Sequence, residues 1–184
     1  MTQWFTADPH YGHKNIIKYC NRPFDTVQDM DETMIDNHNA VVKPDDDVYI
    51  VGDFSMGGPE VQSRYLKRLN GRKHLIKGNH DRHPEKATGW TSVADYLELR
   101  AEDGTYLVLC HYGMRVWNGS YRGSVQLYGH SHGKLPGNSQ SLDIGVDCWD
   151  YRPVLWKDIK QRLKTLPKYT PEDYVEDTER LNNG

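Results

Sequence analysis

Residues 47–53 read Asp-Val-Tyr-Ile-Val-Gly-Asp, an apolar, β-prone run that stops at a glycine and delivers an acidic side chain. The same arrangement occurs at 3–8 and again at 73–81, where β-prone residues lead into polar turns. A helical or looser segment follows each run. Buried strands that alternate with such segments are typical of an α/β sheet, so we predict an α/β fold.

Two helices are predicted among these strands. Apolar side chains at spacings near three and four mark residues 26–42 as an amphipathic helix, which starts at Asp25 or Thr26 and is ended by Pro44. The turn at 56–59 opens a second helix that extends to residue 69, since proline is favoured in the first turn of a helix.

The second half of the chain has a different pattern. β-Prone residues at 96–100 and 106–110 flank Glu102-Asp103-Gly104-Thr105, whose Asp-Gly pair favours the tight turn of an antiparallel hairpin. The remaining predicted elements are short strands at 125–128, 141–146 and 153–156, followed by a helix at 157–166.

Length and charge limit the classes of function. A chain of 184 residues fits one compact domain, which we expect to span 1–166, with an acidic and polar tail at 167–184 on its periphery. The formal net charge of −3 does not provide the broad positive field that nucleic-acid binding by electrostatics alone requires.

The cysteines and the hydropathy indicate a compartment. Cys20, Cys110 and Cys148 are too scattered for a disulfide framework and form no CxxC pair, which suits a reducing cytosol. The first residues do not resemble a secretory signal, and no stretch is apolar enough to span a bilayer. We therefore expect a cytoplasmic protein that does not act at a membrane.

One set of polar residues follows the predicted strands at their carboxyl ends. Ligands bind at that edge of open α/β sheets, so side chains from separate loops converge there. A single Asp-x-His pair is common in polar loops, but the whole set at one edge predicts a metal site. Its members are Asp8, His10, Asp53, Asn79, His80, Asp81, His111, His130 and His132.

These donors suit borderline divalent ions. Carboxylate, imidazole and amide groups together favour Mn²⁺ as our first expectation, with Fe²⁺, Zn²⁺, Co²⁺ and Ni²⁺ as alternatives. Asp53 has two carboxylate oxygens with which to bridge a pair of ions. Two ions roughly 3.5 to 4 Å apart can generate a hydroxide nucleophile and clamp the oxygens of an in-line phosphoryl displacement. The pattern predicts a dinuclear centre that hydrolyses phosphate esters.

The leaving group of such a reaction must be protonated or stabilised. His80 stands beside the predicted ligand Asn79 and is the predicted catalytic group. We expect Asp81 to orient the His80 imidazole through a hydrogen bond. For any one histidine, an ordinary core or surface role is the better default, but not for the whole set.

The motifs, taken in order, resemble the signature of the calcineurin-like metallophosphoesterase superfamily, in its small single-domain bacterial and phage members. The motifs are Asp8-Pro9-His10, Gly52-Asp53, Gly78-Asn79-His80-Asp81, His111 and Gly129-His130-Ser131-His132. The resemblance implies a four-layer α/β/β/α sandwich of two mixed β-sheets flanked by helices.

The resemblance also implies roles for individual residues. Asp8, His10 and His132 would hold one ion, and Asn79, His111 and His130 would hold the other. Asp53 would bridge the two ions, and His80 would be the catalytic acid or transition-state stabiliser.

Two further groups are candidates for binding the substrate. His13, Asn15 and Arg22 resemble the opening of small family members that start with Asp-x-His-x-Gly-His, and they could reach a substrate phosphate. Arg22 could equally make a structural hydrogen bond.

The second group lies in segment 112–122, which follows His111. Arg115, Trp117, Tyr121 and Arg122 mix basic and aromatic side chains that can pair with phosphates and stack on bases. Alternatively, Trp117 and Tyr121 simply pack the loop.

The expected function is hydrolysis of a phosphodiester or phosphomonoester by metal-bound hydroxide, in a small and nucleotide-like substrate. A metal-dependent nuclease, with nucleic acid as the partner, is an alternative that would need a longer binding surface. A non-catalytic scaffold that docks a protein partner and a protein with one structural metal are the other hypotheses. The presence of every ligand together with His80 favours an enzyme.

Overall fold

The computed structural model describes residues 2–170, which form two mixed β-sheets flanked by helices. The part of the predicted tail from residue 171 onward lies outside the described residues. The predicted class, an α/β sandwich of two mixed sheets with flanking helices, is confirmed.

The first sheet has five strands in the order β4-β3-β2-β1-β9. Strands β1 (Gln3–Thr6), β2 (Asp47–Val51), β3 (Arg72–Ile76) and β4 (Trp90–Ala94) are parallel, and β9 (Val154–Leu155) runs antiparallel beside β1. Because the four parallel strands point the same way, their carboxyl ends share one edge of the sheet.

The second sheet has four strands in the order β5-β6-β7-β8. The predicted hairpin is confirmed, since β5 (Leu97–Arg100) and β6 (Tyr106–Leu109) are antiparallel. Strands β7 (Val125–Tyr128) and β8 (Ser141–Asp143) continue the sheet parallel to β6.

The described residues also contain four α-helices: α1 (Ile16–Tyr19), α2 (Val27–Val41), α3 (Pro59–Leu66) and α4 (Trp156–Leu163). Thr26 is the N-cap of α2, and its side chain accepts a hydrogen bond from the Asp29 backbone N–H, so the predicted start is confirmed. No described helix is long and apolar enough to cross a membrane.

The apolar core has two parts, one on each face of the first sheet. Side chains such as Phe5 and Val51 meet Leu107 and Leu127 of the second sheet in one cluster. On the opposite face, α2 and α3 cover the sheet in the other cluster, which includes Met34. At roughly 25 cal/mol per Å² of buried apolar surface, this packing supplies the main stabilisation of the fold.

Two elements were absent from the sequence-based expectation. Helix α1 is only four residues long, and β4 is an edge strand whose central residues Thr91 and Ser92 are exposed. A half-exposed edge strand lacks the apolar run by which the other strands were found.

His38 is a buried histidine on α2 that lies outside the motifs. Its Nε2 is 2.9 Å from the backbone oxygen of Asn70, which matches a neutral ring donating to a carbonyl. Burial lowers the pKa of His38 to about 4. The folded protein therefore keeps this ring neutral at a pH where the unfolded chain protonates it.

The free energy of unfolding should fall as pH is lowered from 6.5 towards 4, because only the unfolded state takes up the His38 proton in that window. The expected loss attributable to His38 is roughly 3 kcal/mol at the acid end. Urea unfolding of chelator-treated protein across this range checks it, with His38→Gln as the matched variant. The variant should lose less stability than the wild type; parallel curves would contradict the assignment.

Candidate metal centre

The predicted site lies at the edge that the parallel strands share. Asp8, Asp53 and Asn79 follow β1, β2 and β3, while His111 and His130 follow β6 and β7. Backbone hydrogen bonds fasten the loops to one another. The N–H of Asp8 donates to the Gly52 oxygen at 3.1 Å, and the N–H of His10 donates to the Asp53 oxygen at 3.0 Å.

Five of the predicted ligands adopt a left-handed backbone. The φ angles are +56° at Asp8, +53° at His10, +52° at Asp53, +65° at His130 and +47° at His132. Residues other than glycine rarely adopt this conformation, and each instance costs of order 1 kcal/mol or more. Such strain clusters at functional sites, where the rest of the fold must hold it in place.

The carboxylate of Asp53 occupies the middle of the group. Its Oδ2 lies 3.6 Å from Nε2 of His10, 3.5 Å from Nε2 of His111 and 4.0 Å from Nε2 of His80. Its Oδ1 accepts a hydrogen bond from the His80 backbone N–H at 2.9 Å. One carboxylate oxygen thus faces imidazoles from three separate loops.

The structure brings all seven predicted ligands together at this edge. The ligand atoms of Asp8, His10 and His132 lie within 4.8 Å of one another, and those of Asp53, His111 and His130 do the same. Asn79 joins the second group, because its Oδ1 is 3.3 Å from Nε2 of His111. These two groups contain the residues that the family resemblance assigns to two ions, and the assignment to separate ions stays a prediction.

Two buried atoms of the site have no partner within the described protein. Asp8 Oδ1 and His10 Nε2 are both buried without a hydrogen bond. Burial raises the pKa of Asp8 to about 8 and lowers the pKa of His10 to about 3. A buried carboxylate oxygen without a hydrogen bond and an unprotonated imidazole nitrogen are both donors that a divalent ion accepts, so the residues present fit such an ion.

Protons and metal ions compete for the imidazole of His111 in the second ligand group. Burial lowers the pKa of His111, but the hydrogen bond and charge of Asp53 outweigh it and raise that pKa to about 9. A metal ion needs the unprotonated ring, so binding would release this proton and would weaken as pH falls.

Glycines leave the room that the site needs. A Cβ on Gly52 would lie 2.2 Å from Nδ1 of His111, and a Cβ on Gly78 would lie 2.3 Å from Oδ1 of Asp53. Gly52 also has a φ of +85°. The glycines of the Gly-Asp and Gly-Asn motifs are therefore required by the close approach of the ligands.

Asp81 differs from its predicted role. Its Oδ2 accepts hydrogen bonds from the backbone N–H groups of Asp53 and Gly78, each at 2.8 Å, and its Oδ1 accepts one from Phe54 at 2.9 Å. Both carboxylate oxygens are thus occupied by backbone, so the prediction that Asp81 orients the His80 ring is wrong. Asp81 ties the loop after β3 to the loop after β2.

Arg22 is a structural residue. Its side chain is fully buried and donates to both carboxylate oxygens of Asp147, each at 2.9 Å, and to the backbone oxygens of Asp8 and Pro9. The prediction that Arg22 reaches a substrate phosphate is therefore wrong, and the structural alternative is confirmed. The guanidinium holds the loop that carries Asp8 and His10.

Asp147 is a site residue that the motifs did not reveal. Its Oδ2 lies 2.7 Å from Nδ1 of His132, while Arg22 binds the same carboxylate. Such a partner fixes the orientation and tautomer of a metal-binding imidazole. The available signal was an acidic residue just beyond the strand at 141–143, in the sequence Gly145-Val146-Asp147.

The structure locates two of the other predicted substrate residues, His13 and Trp117, relative to the site. His13 lies at the site, with Nδ1 3.4 Å from Nδ1 of His10. Trp117 is 5% exposed and its Nε1–H donates to the Ser124 oxygen, so its prediction as a substrate contact is wrong and the packing alternative is confirmed. The roles of Asn15, Arg115, Tyr121 and Arg122, which are all exposed, stay predictions.

Comparisons with known proteins relate this chain to a family and a fold. The family model for calcineurin-like phosphoesterases matches residues 1–171. An uncharacterized protein of Methanocaldococcus jannaschii is 32% identical over 160 residues, covering 82% of this chain and 85% of that protein. The gene 66 protein of Mycobacterium phage L5 is 28% identical, covering 79% and 86% respectively.

A solved structure supports the fold. A protein of unknown function from Aquifex aeolicus superposes with a TM-score of 0.69 at 22% identity, covering 88% of this chain and 98% of that one. A likeness at this identity bears on the fold and not on the activity.

Asp81→Asn should lower both stability and metal affinity. The amide nitrogen of asparagine cannot accept the backbone N–H groups that one carboxylate oxygen now accepts, at a cost of about 1–3 kcal/mol. Thermal unfolding and calorimetric titration with Mn²⁺ measure the two effects. An unchanged stability and affinity, combined with a shifted pH-rate profile, would instead restore a role for Asp81 in orienting His80.

Proposed function

We propose a function from the premise that this chain belongs to the calcineurin-like phosphoesterase family. Membership makes it a metal-dependent phosphoesterase. We propose further that it is a phosphoric ester hydrolase with two divalent ions, acting on a diester or monoester in a small, nucleotide-like substrate. The observation that carries this proposal is the position of Asp53 Oδ2, within 4.0 Å of imidazole nitrogens from both ligand groups.

The residues divide naturally between two ions. Asp8, His10 and His132 form one set, and Asn79, His111 and His130 form the other. Asp53 lies between the sets, because its Oδ2 is about equally far from His10 and His111. A shared carboxylate of this kind is the usual way to hold two ions at bridging distance.

The two ions would supply the positive charge that acts on the attacking water and on the phosphate. When bound, a pair of divalent ions lowers the pKa of the attacking water and neutralises the phosphate oxygens. Mn²⁺ is the proposed metal, with Fe²⁺, Zn²⁺, Co²⁺ and Ni²⁺ as alternatives, because mixed nitrogen and oxygen donors accept all of them.

His80 is proposed to act on the leaving group. Its side chain is 36% exposed, whereas the side chains of His10 and His111 are at most 2% exposed. Its backbone N–H is held by Asp53, so the ring stands beside the centre and faces the solvent. From that position Nε2 can donate a hydrogen bond or a proton to the departing oxygen.

An enzyme accounts for this arrangement better than a scaffold does. A scaffold that only docks a protein needs neither strained ligand loops nor an exposed imidazole beside the ions. We keep the small substrate as the proposal, and the nuclease alternative would require a longer binding surface beside the ions.

Mn²⁺-reconstituted protein should hydrolyse bis-p-nitrophenyl phosphate or p-nitrophenyl phosphate, and EDTA should abolish the activity. His80→Ala should reduce kcat by about 10²–10⁴-fold, the usual contribution of a general acid. The ratio of the two rates then decides between diester and monoester substrates.

Metal affinity is the control for the His80 variant, because His80 is not one of the proposed ligands and the variant should keep its Mn²⁺. Absence of turnover with each of the five metals, on these substrates and on natural nucleotides, would favour the scaffold. Equal kcat in the two proteins would remove His80 from the mechanism.

Metal content tests the dinuclear proposal independently of activity. Elemental analysis of Mn²⁺-reconstituted wild type should give about two ions per chain. His130→Ala should keep one ion, since it removes an exposed ligand from only the second set. One ion in the wild type would support the single structural site.

A further inference from the structure

The aromatic ring of Tyr112 lies against the second ligand group. Its centroid is 4.9 Å from the centroid of His130 and 5.0 Å from that of His111, and it is nearly perpendicular to both rings. Tyr112 is nevertheless 47% exposed. The ring therefore combines direct contact with proposed metal ligands and a large surface open to solvent.

One buried side chain binds the backbone that follows this ring, from Tyr112 to Met114. Gln126 is fully buried, and its Nε2 donates to the Tyr112 oxygen at 2.8 Å. Its Oε1 accepts from the Met114 N–H at 3.0 Å and from the Ser141 hydroxyl at 3.0 Å. Because the amide of Gln126 is satisfied on both sides, the segment that carries Tyr112 is held in one conformation.

An apolar neighbour adjoins this segment. A Cβ on Gly113 would lie 2.5 Å from Cδ2 of Leu135, so Leu135 packs directly on the backbone beside Tyr112. Leu135 is itself 46% exposed, and its backbone oxygen accepts the hydroxyl of Tyr128. Tyr112, which contacts His130, and Leu135, which packs on the next residue, Gly113, are thus both exposed, and we call these two side chains the Tyr112 platform.

The other aromatic candidates fit less well. Trp117 is buried, and its ring packs on Tyr169. Tyr19 is 64% exposed but touches His13, on the side of the first ligand group. Tyr112 is an exposed aromatic ring that contacts the second ligand group directly.

We infer that the Tyr112 platform receives a planar aromatic group of the substrate, a nucleobase, while the ions hold its phosphate. This inference rests on the proposed function. An exposed aromatic ring stacks on any base, because every base presents a π face, and a rigid ring loses little entropy on binding. The proposal gives base recognition to Tyr112, whereas Trp117, which the sequence suggests for it, is buried.

The test compares two ligands that carry the same phosphate. AMP and ribose 5-phosphate differ only in the base, so any change at the metals affects both affinities alike. Calorimetric titrations use the Mn²⁺-loaded full chain carrying His80→Ala, so that neither ligand is consumed. AMP should bind roughly tenfold more tightly than ribose 5-phosphate, as one base stacked on one ring predicts.

Substitutions of Tyr112 test whether its ring causes the preference for AMP over ribose 5-phosphate. In the same background, Tyr112→Leu should bring the two affinities to near equality, and Tyr112→Phe should keep the preference because the ring remains. Tyr19→Leu is the matched control, an exposed tyrosine on the opposite side, and should also keep the preference. A preference that survives Tyr112→Leu, or that Tyr19→Leu abolishes to the same extent, overturns the inference.

Failure of this inference can be told apart from failure of the proposed function. Metal-dependent turnover without a preference for AMP would remove the platform and leave the hydrolase. A preference for AMP that depends on Tyr112, in a protein without turnover of any ester, would keep the platform and remove the hydrolase.

Discussion

The structure depends on one electrostatic constraint, the burial of the Asp8 carboxylate at the point where the two sheets meet. Asp8 is fully buried, and its Oδ1 has no hydrogen bond within the described residues. Its Oδ2 is satisfied by the His130 backbone N–H at 2.8 Å, so the two sheets meet at this carboxylate. Isolated buried carboxylates are strongly disfavoured, which is why burial raises the pKa of Asp8 to about 8. A divalent ion removes this penalty, so metal binding and the close contact of the two sheets favour each other.

Two acidic residues, Asp81 and Asp147, hold the loops and side chains of the predicted ligands in place through hydrogen bonds. Asp81 gathers three backbone N–H groups from the loops after β2 and β3. Asp147 joins Arg22 to His132, and Arg22 in turn holds the backbone of Asp8. Charge-assisted hydrogen bonds of this kind are stronger than neutral ones, and here they are shielded from water. The left-handed backbone of five ligands is maintained by such contacts, because local propensity alone opposes it.

The sequence predicted most strands and the convergence of the candidate ligands at one edge, because both follow from short-range signals. An apolar run that ends in Gly-Asp or Gly-Asn-His-Asp predicts both a strand and the polar side chains at its end. Parallel strands bring such ends to one edge of a sheet. The edge strand β4 lacked an apolar run and was missed. Partners distant in sequence were also beyond prediction: Arg22 and Asp147 are 125 residues apart, and nothing local shows that Arg22 points inward. Asp81 was predicted to act on its neighbour His80, whereas its hydrogen bonds go to the backbone, as those of most polar side chains do.

The two sides of the centre are built for different purposes. Catalytic geometry requires ligands on rigid strand ends, and the loops after β1, β2 and β3 provide them. Substrate selection requires a surface that can change without disturbing those ligands. The segment after β6 has this property, since His111 and the buried Gln126 fix its first residues while its outer side chains are exposed. A substitution at Tyr112 would alter the surface that we propose for the substrate, whereas one at Gly78 or Asp81 would alter the centre itself. Specificity in this fold can therefore diverge on one segment while the chemistry stays constant.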